Sequence, residues 1–203
     1  FAFVEHGLPF LNSSMGYSPT IFVMPTYPDP SFGASLFFEP EAGLYAGFGL
    51  FDGAGARGIP TGSRGFGSLL SGTDLFLIGE LGWKWSIFGE PIADEPAYPG
   101  RIGIGGWFHD GTFDRFDGNS QNGAGGLYVV FGQQLLREFD DETGTQGLGM
   151  FAQYGYANPE VSAMTQHFGT GVAWTGLIPG RDADLLGIGI SIVQLSDRPG
   201  SGF

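Results

Sequence analysis

The sequence contains no cysteine, which excludes a disulfide framework and any thiolate metal site. Cationic residues are scarce: eight Lys and Arg stand against 21 Asp and Glu, a formal charge of −13. A chain this acidic does not suit nucleic acid as a partner, because phosphate binding rests on basic groups. Charged residues of both signs make up only 14%, whereas soluble proteins usually carry about 25%. No run approaches the roughly 20 apolar residues of a membrane helix. Membrane-crossing strands are shorter and only half apolar, so that absence leaves a β-barrel open. The opening residues Phe1-Ala2-Phe3-Val4 do not form a signal peptide, and the chain is expected to be a piece of a longer, processed precursor.

What is abundant is glycine, with 38 residues, and phenylalanine, with 20. Glycine without the collagen period argues against helices, each Gly weakening one by about 1 kcal/mol. An aromatic content of 15% is too high for disorder, since those rings must be buried or embedded.

The pattern that organises the chain is a two-residue alternation, cleanest from Asp74 to Ser86. Leu75, Leu77, Leu81, Trp83 and Trp85, with Gly79, form one apolar row; Glu80 and Lys84 stand in the other, among Phe76, Ile78 and Gly82. Successive strand side chains point to opposite faces, so the stretch separates a Trp-edged apolar surface from a charged one. That is the pattern of an outer-membrane barrel strand. Similar segments predict strands at Ser31–Glu39, Gly43–Phe51, Arg101–His109, Ala124–Gln134, Gln146–Tyr156, His167–Leu177 and Asp184–Ser196. Several set an apolar row against glycine and polar residues, as Leu186, Ile188, Ile190 and Ile192 stand against Gly187, Gly189 and Ser191. The fold class is all-β, a transmembrane antiparallel β-barrel with about eight strands present. Residues 1–30 read as an irregular segment and 31–196 as strands of a single barrel domain. A closed barrel of about eight strands fills its interior with side chains; rows of inward glycine would underfill it. The chain therefore reads as about half of a larger, water-filled barrel. Short connections such as Glu39-Pro40-Glu41-Ala42 alternate with long ones at Asp52–Thr73 and Asp110–Gly123.

A pore selects by width, lining charge and hydrogen-bonding groups. The polar rows nominate Glu80, Lys84, Arg101, Trp107, His109, Gln134 and Gln153 as pore-lining residues. A charge facing lipid near the midplane would cost about 2–4 kcal/mol. Arg57 and Arg64, in the long Asp52–Thr73 loop, either fold inward to a constriction or decorate the surface. If Gly7–Pro30 dips into the barrel, Asn12, Tyr17, Tyr27 and Asp29 would meet solute. Arg181, Asp182 and Asp184 read as turn chemistry, and Asp140-Asp141-Glu142 as a solvated turn. His6, His109 and His167 lack the paired spacing of a zinc site, and no Gly-x-Ser-x-Gly elbow occurs. The reading is therefore non-enzymatic, without cofactor or metal.

Several runs resemble the carbohydrate-selective porin (OprB) family: Pro25-Thr26-Tyr27-Pro28-Asp29-Pro30-Ser31-Phe32-Gly33-Ala34, Gly49-Leu50-Phe51-Asp52-Gly53 and Phe151-Ala152-Gln153-Tyr154-Gly155-Tyr156-Ala157. The most specific is Trp174-Thr175-Gly176-Leu177-Ile178-Pro179-Gly180-Arg181-Asp182-Ala183-Asp184-Leu185-Leu186-Gly187. The resemblance implies the middle of a barrel about twice this length with about 16 strands. It further implies passive passage of carbohydrates and other small hydrophilic solutes through a Gram-negative outer membrane, with lipid as surroundings and a trimer by analogy. The rivals are a structural or plugged envelope barrel without transport, and a soluble glycan-binding β-sandwich.

Overall fold

The computed structural model describes residues 2–25, 30–40, 43–61, 64–70, 74–87, 98–137, 146–198 and 200. Tyr27, Asp29 and the Asp140-Asp141-Glu142 run lie outside the described residues. Each of the eight alternating segments is a strand: β1 (Gly33–Phe38), β2 (Leu44–Asp52), β3 (Leu75–Ser86), β4 (Pro99–Asp114), β5 (Ser120–Arg137), β6 (Gly147–Ala157), β7 (Met164–Thr175) and β8 (Leu185–Leu195). They form one sheet in chain order, every neighbour antiparallel. Among the described residues β1 and β8 do not pair with each other, so the sheet is open. Among the described residues, helix is confined to one turn at Gly67–Leu70 and three 3-10 turns.

One expectation is corrected. Asp110–Gly123 is not a long loop but the continuation of β4 and β5 into a hairpin, closed by Arg115 N–H donating to Asn119 O at 2.7 Å. Gly118, at φ +84°, supplies the left-handed residue of that turn. Asp, Asn and Gly in the segment weaken its strand propensity. Pairing restores it, through Thr112 donating to Asn122 across the strands and Phe113 buried against the His109 ring.

Register joins the rows of separate strands into two faces. Glu80 lies opposite Gly47 and Gly105, Lys84 opposite Arg101, and Gly105 opposite Tyr128. Farther on, Val130 opposes Gln153, Gln153 opposes Gly169, and Gly169 opposes Ser191. This face is covered by residues 2–25: Ala2, Val4, Met15, Ile21 and Val23 are buried in one core with Phe76, Ile78, Tyr128, Val130 and Phe151. The opposite face carries Leu81, Ile104, Leu127, Ile188 and Ile190, all more than half exposed.

The glycines of the covered face are seats. A Cβ on Gly187 would run into the Phe10 ring, one on Gly149 into the His6 ring, and one on Gly155 into the hydroxyls of Ser18 and Thr20. Small strand residues thus let residues 2–25 approach the backbone. The space that glycine leaves is occupied by protein on this wall. Gly155→Val is therefore expected to destabilise the fold by about 1–3 kcal/mol through overpacking. The check is denaturant refolding together with protease cleavage within residues 2–25, which the variant should expose.

Candidate functional site

The covered face is organised by a buried carboxylate. Glu80, 5% exposed, accepts the Ala2 amide at 2.8 Å on Oε2 and the Tyr45 hydroxyl at 2.8 Å on Oε1. The Arg101 guanidinium stands 3.6 Å from Oε1, and its Nη2 donates to the Phe3 carbonyl at 3.0 Å. Its Cζ lies 4.6 Å from the Phe3 ring centroid. Two strand residues of opposite charge therefore grip residues 2 and 3 of the inward segment.

A second anchor lies across the sheet. Gln153, 2% exposed, donates its amide to the carbonyls of Ser14 and Met15, each at 2.8 Å. Ser14 shares a 2.9 Å hydrogen bond with Ser191, which contacts His167 Nε2 at 3.0 Å. Trp107 is buried against Phe22 and Phe76. His109 is fully buried: its Nδ1 accepts the Gly111 amide, so Nε2 carries the proton and donates to the Gly53 carbonyl at 2.9 Å. Of the seven nominated side chains, Glu80, Trp107, His109 and Gln153 thus lie on the covered face but are enclosed, packed against residues 2–25 or the Gly53 loop.

The other three, Lys84, Arg101 and Gln134, line a cavity of about 990 Å³ at the end of the sheet where β1 turns into β2. Glu5, His6 and Glu39 contribute to the same walls. Lys84 bonds Glu39 at 2.6 Å and lies 5.6 Å from the Tyr45 ring centroid, from which Arg101 stands 5.8 Å away. The cavity wall thus carries charge of both signs, Glu5 and Glu39 with Lys84, Arg101 and Arg137; Lys84 pairs with Glu39, and Arg101 reaches back to the buried Glu80. Tyr45 and Glu39 were not nominated from the sequence. Alternation in β2 puts Tyr45 in a row with Gly47 and Gly49, but only the register with β3 reveals that it shares a face with Glu80.

Arg57 and Arg64 are held at the strand ends. Arg57 pairs with Asp74 at 2.5 Å and Arg64 with Asp52 at 3.1 Å. Asn12 caps a 3-10 turn through Ser14 N–H, while Tyr17 bridges Phe3; both residues are exposed. Arg181 bonds Asp184 within the β7–β8 turn. The described residues contain no group of three or more His, Asp or Glu side chains able to hold a metal.

The opposite face is apolar between two aromatic rows. Trp83, Trp85 and Trp174 stand toward the cavity end, Phe108, Tyr154 and Tyr156 toward the other. Trp85 lies opposite Gly100, eight residues along β4 from Phe108, about 27 Å of strand and about 20 Å of height at barrel tilt. No charged side chain of the described residues occupies this face between the rows. An apolar outer band with aromatic edges, backed by an inner face that holds the charged and amide side chains, is the pattern of a membrane-spanning antiparallel β-barrel wall. The family model described as carbohydrate-selective porin, OprB family, matches residues 5–201, and the chain belongs to that family. It is similar to a solved structure, the OprB of Pseudomonas putida at high pH, with TM-score 0.64 and 16% identity over 84% of this chain and 41% of that one. The chain therefore spans less than half the length of that relative, and the likeness is one of fold. No curated protein matches. The family points to an outer-membrane barrel and to a transport channel in place of an enzyme.

Two outcomes follow. Glu80→Ala strands the Ala2 amide, the Tyr45 hydroxyl and Arg101, and should destabilise the folded protein by about 3 kcal/mol, measured by urea unfolding. Burial pushes the His6 imidazole below its ordinary 6.5, partly opposed by Glu5. The folded state therefore favours neutral His6, whose packing on Gly149 is intact above about pH 6.5 and weakens as the pH falls below it. Protease cleavage within residues 2–25 should accelerate from pH 7 to pH 5.

Proposed function

We infer that this chain forms part of the wall and inner lining of an outer-membrane channel that passes carbohydrates and other small hydrophilic solutes down their gradients. The observation that carries the reading is the cavity edge. Its walls mix acidic Glu5 and Glu39 with basic Lys84, Arg101 and Arg137, so they offer hydrogen-bond donors and acceptors without a strong net charge. A neutral polyol, with hydroxyls that both donate and accept, matches this lining better than an ion does. Lys84, Arg101 and Gln134 are the nominated residues in position to meet solute, with Glu80 and Gln153 holding the lining in place. The apolar band supports lipid as the outer surroundings, and a trimer rests on family analogy. The remaining strands of a porin of about 16 would come from outside this chain.

A second reading, a plugged barrel, draws on one feature: residues 2–25 fill this wall with an apolar core that includes Val4, Met15 and Ile21. Planar-bilayer conductance of the intact protein separates the two. Stepwise openings blocked saturably by glucose support the carbohydrate channel, and Lys84→Met should weaken that block about tenfold. Openings indifferent to glucose and larger oligosaccharides defeat the carbohydrate assignment. Folded protein without openings supports the plugged barrel.

A further inference from the structure

Lys84 and Arg101 are direct cross-strand partners on one face of β3 and β4. Like charges so placed repel, yet both border the cavity. Each is drawn away from the other, Lys84 toward Glu39 and Arg101 toward Glu80 and the Phe3 carbonyl. Tyr45 stands beside both cations. Its ring is seated across two strands, since a Cβ on Gly82 would strike the ring and one on Gly103 would approach its hydroxyl. The hydroxyl is tied to Glu80 at 2.8 Å. The ring therefore has little freedom, and its electron-rich face attracts both cations.

We propose that Tyr45 is a positioning residue that fixes the separation of Lys84 and Arg101, making them a two-cation donor site for the oxygen atoms of a solute in the cavity. This rests on the carbohydrate reading for the identity of the solute, but the geometry of the pair does not depend on it. The site takes an oxygen-rich ligand with neighbouring acceptors, such as the adjacent hydroxyls of a pyranose. Lys84 supplies the exchangeable arm. Its bond to Glu39 joins two half-exposed groups, and such pairs hold weakly. Arg101, anchored to Phe3, supplies the fixed arm.

Lys84 is the only lysine in the sequence, so amine acylation read by mass spectrometry of its peptide reports the site without any channel recording. The experiment acylates the intact, folded protein with and without glucose, comparing wild type with Tyr45→Phe and Tyr45→Leu. Tyr45→Phe keeps the ring and loses the bond to Glu80; Tyr45→Leu loses both. The expected result is glucose protection of Lys84 in wild type, little change in Tyr45→Phe, and loss of protection with about threefold faster acylation in Tyr45→Leu. Tyr45→Leu behaving as wild type in rate and protection would overturn the proposal. Absence of protection in wild type would contradict the carbohydrate reading, while the rate difference between wild type and Tyr45→Leu would still decide the role of Tyr45. If Tyr45→Leu does not fold, Tyr45→Trp decides: a displaced Lys84 with an altered acylation rate supports the role, and an unchanged rate refutes it.

Discussion

The structure turns on a carboxylate that has no place in lipid. Glu80 sits at the middle of a strand whose other face is apolar, so one side of the sheet must supply it with donors. Those donors are the Tyr45 hydroxyl, the Ala2 amide and the nearby Arg101. Once that face is fixed, the register carries its parity across all eight strands, because a slip of one residue would turn every apolar row inward. The aromatic-edged outer band and the inner position of Lys84 and Arg101 follow from the same constraint. Glu80 also recruits backbone from another part of the chain, so the wall acquires its lining through one buried charge.

Glycine makes the lining sit close. On the inner row, Gly149, Gly155 and Gly187 remove the side chains that would otherwise hold His6, Ser18 and Phe10 away from the strands. Gly82 and Gly103 do the same for Tyr45. The wall is thus packed where residues 2–25 cover it and open where the paired ions meet the cavity. The sheet is divided between a sealed part and a polar end.

Much of the fold was legible in the sequence because strand parity is a local property. Leu75 to Trp85 and Leu186 to Ile192 announce their faces without knowledge of any neighbour, and all eight strands lie where alternation places them. The extension of β4 to Asp114 was hidden because Asp and Gly have weak strand propensity and depend on cross-strand partners such as Thr112 and Asn122. The site was legible only to the level of the face. Parity puts Glu80 and Gln153 on the inner row, but that both are sealed beneath residues 2–25 follows from long-range contacts with Ala2, Ser14 and Met15, from a segment with no periodicity to read. Tyr45 emerges from strand register, Glu39 from its ion pair with Lys84 just beyond β1, and the strand-end partners of Arg57 and Arg64 from loop geometry.

Residues 2–25 are fastened to the inner face by Glu80, Gln153 and Ser191, and a channel built on this wall would keep that lining in place. Ser14 and Ser191, whose hydroxyls are 2.9 Å apart, give the most direct test, since the sequence has no cysteine to compete. In the double variant S14C and S191C of the intact protein, the account predicts a disulfide that forms readily under mild oxidation and leaves single-channel conductance unchanged before and after reduction. Failure of the two positions to cross-link in folded protein, or a cross-link that closes the channel until it is reduced, would contradict it.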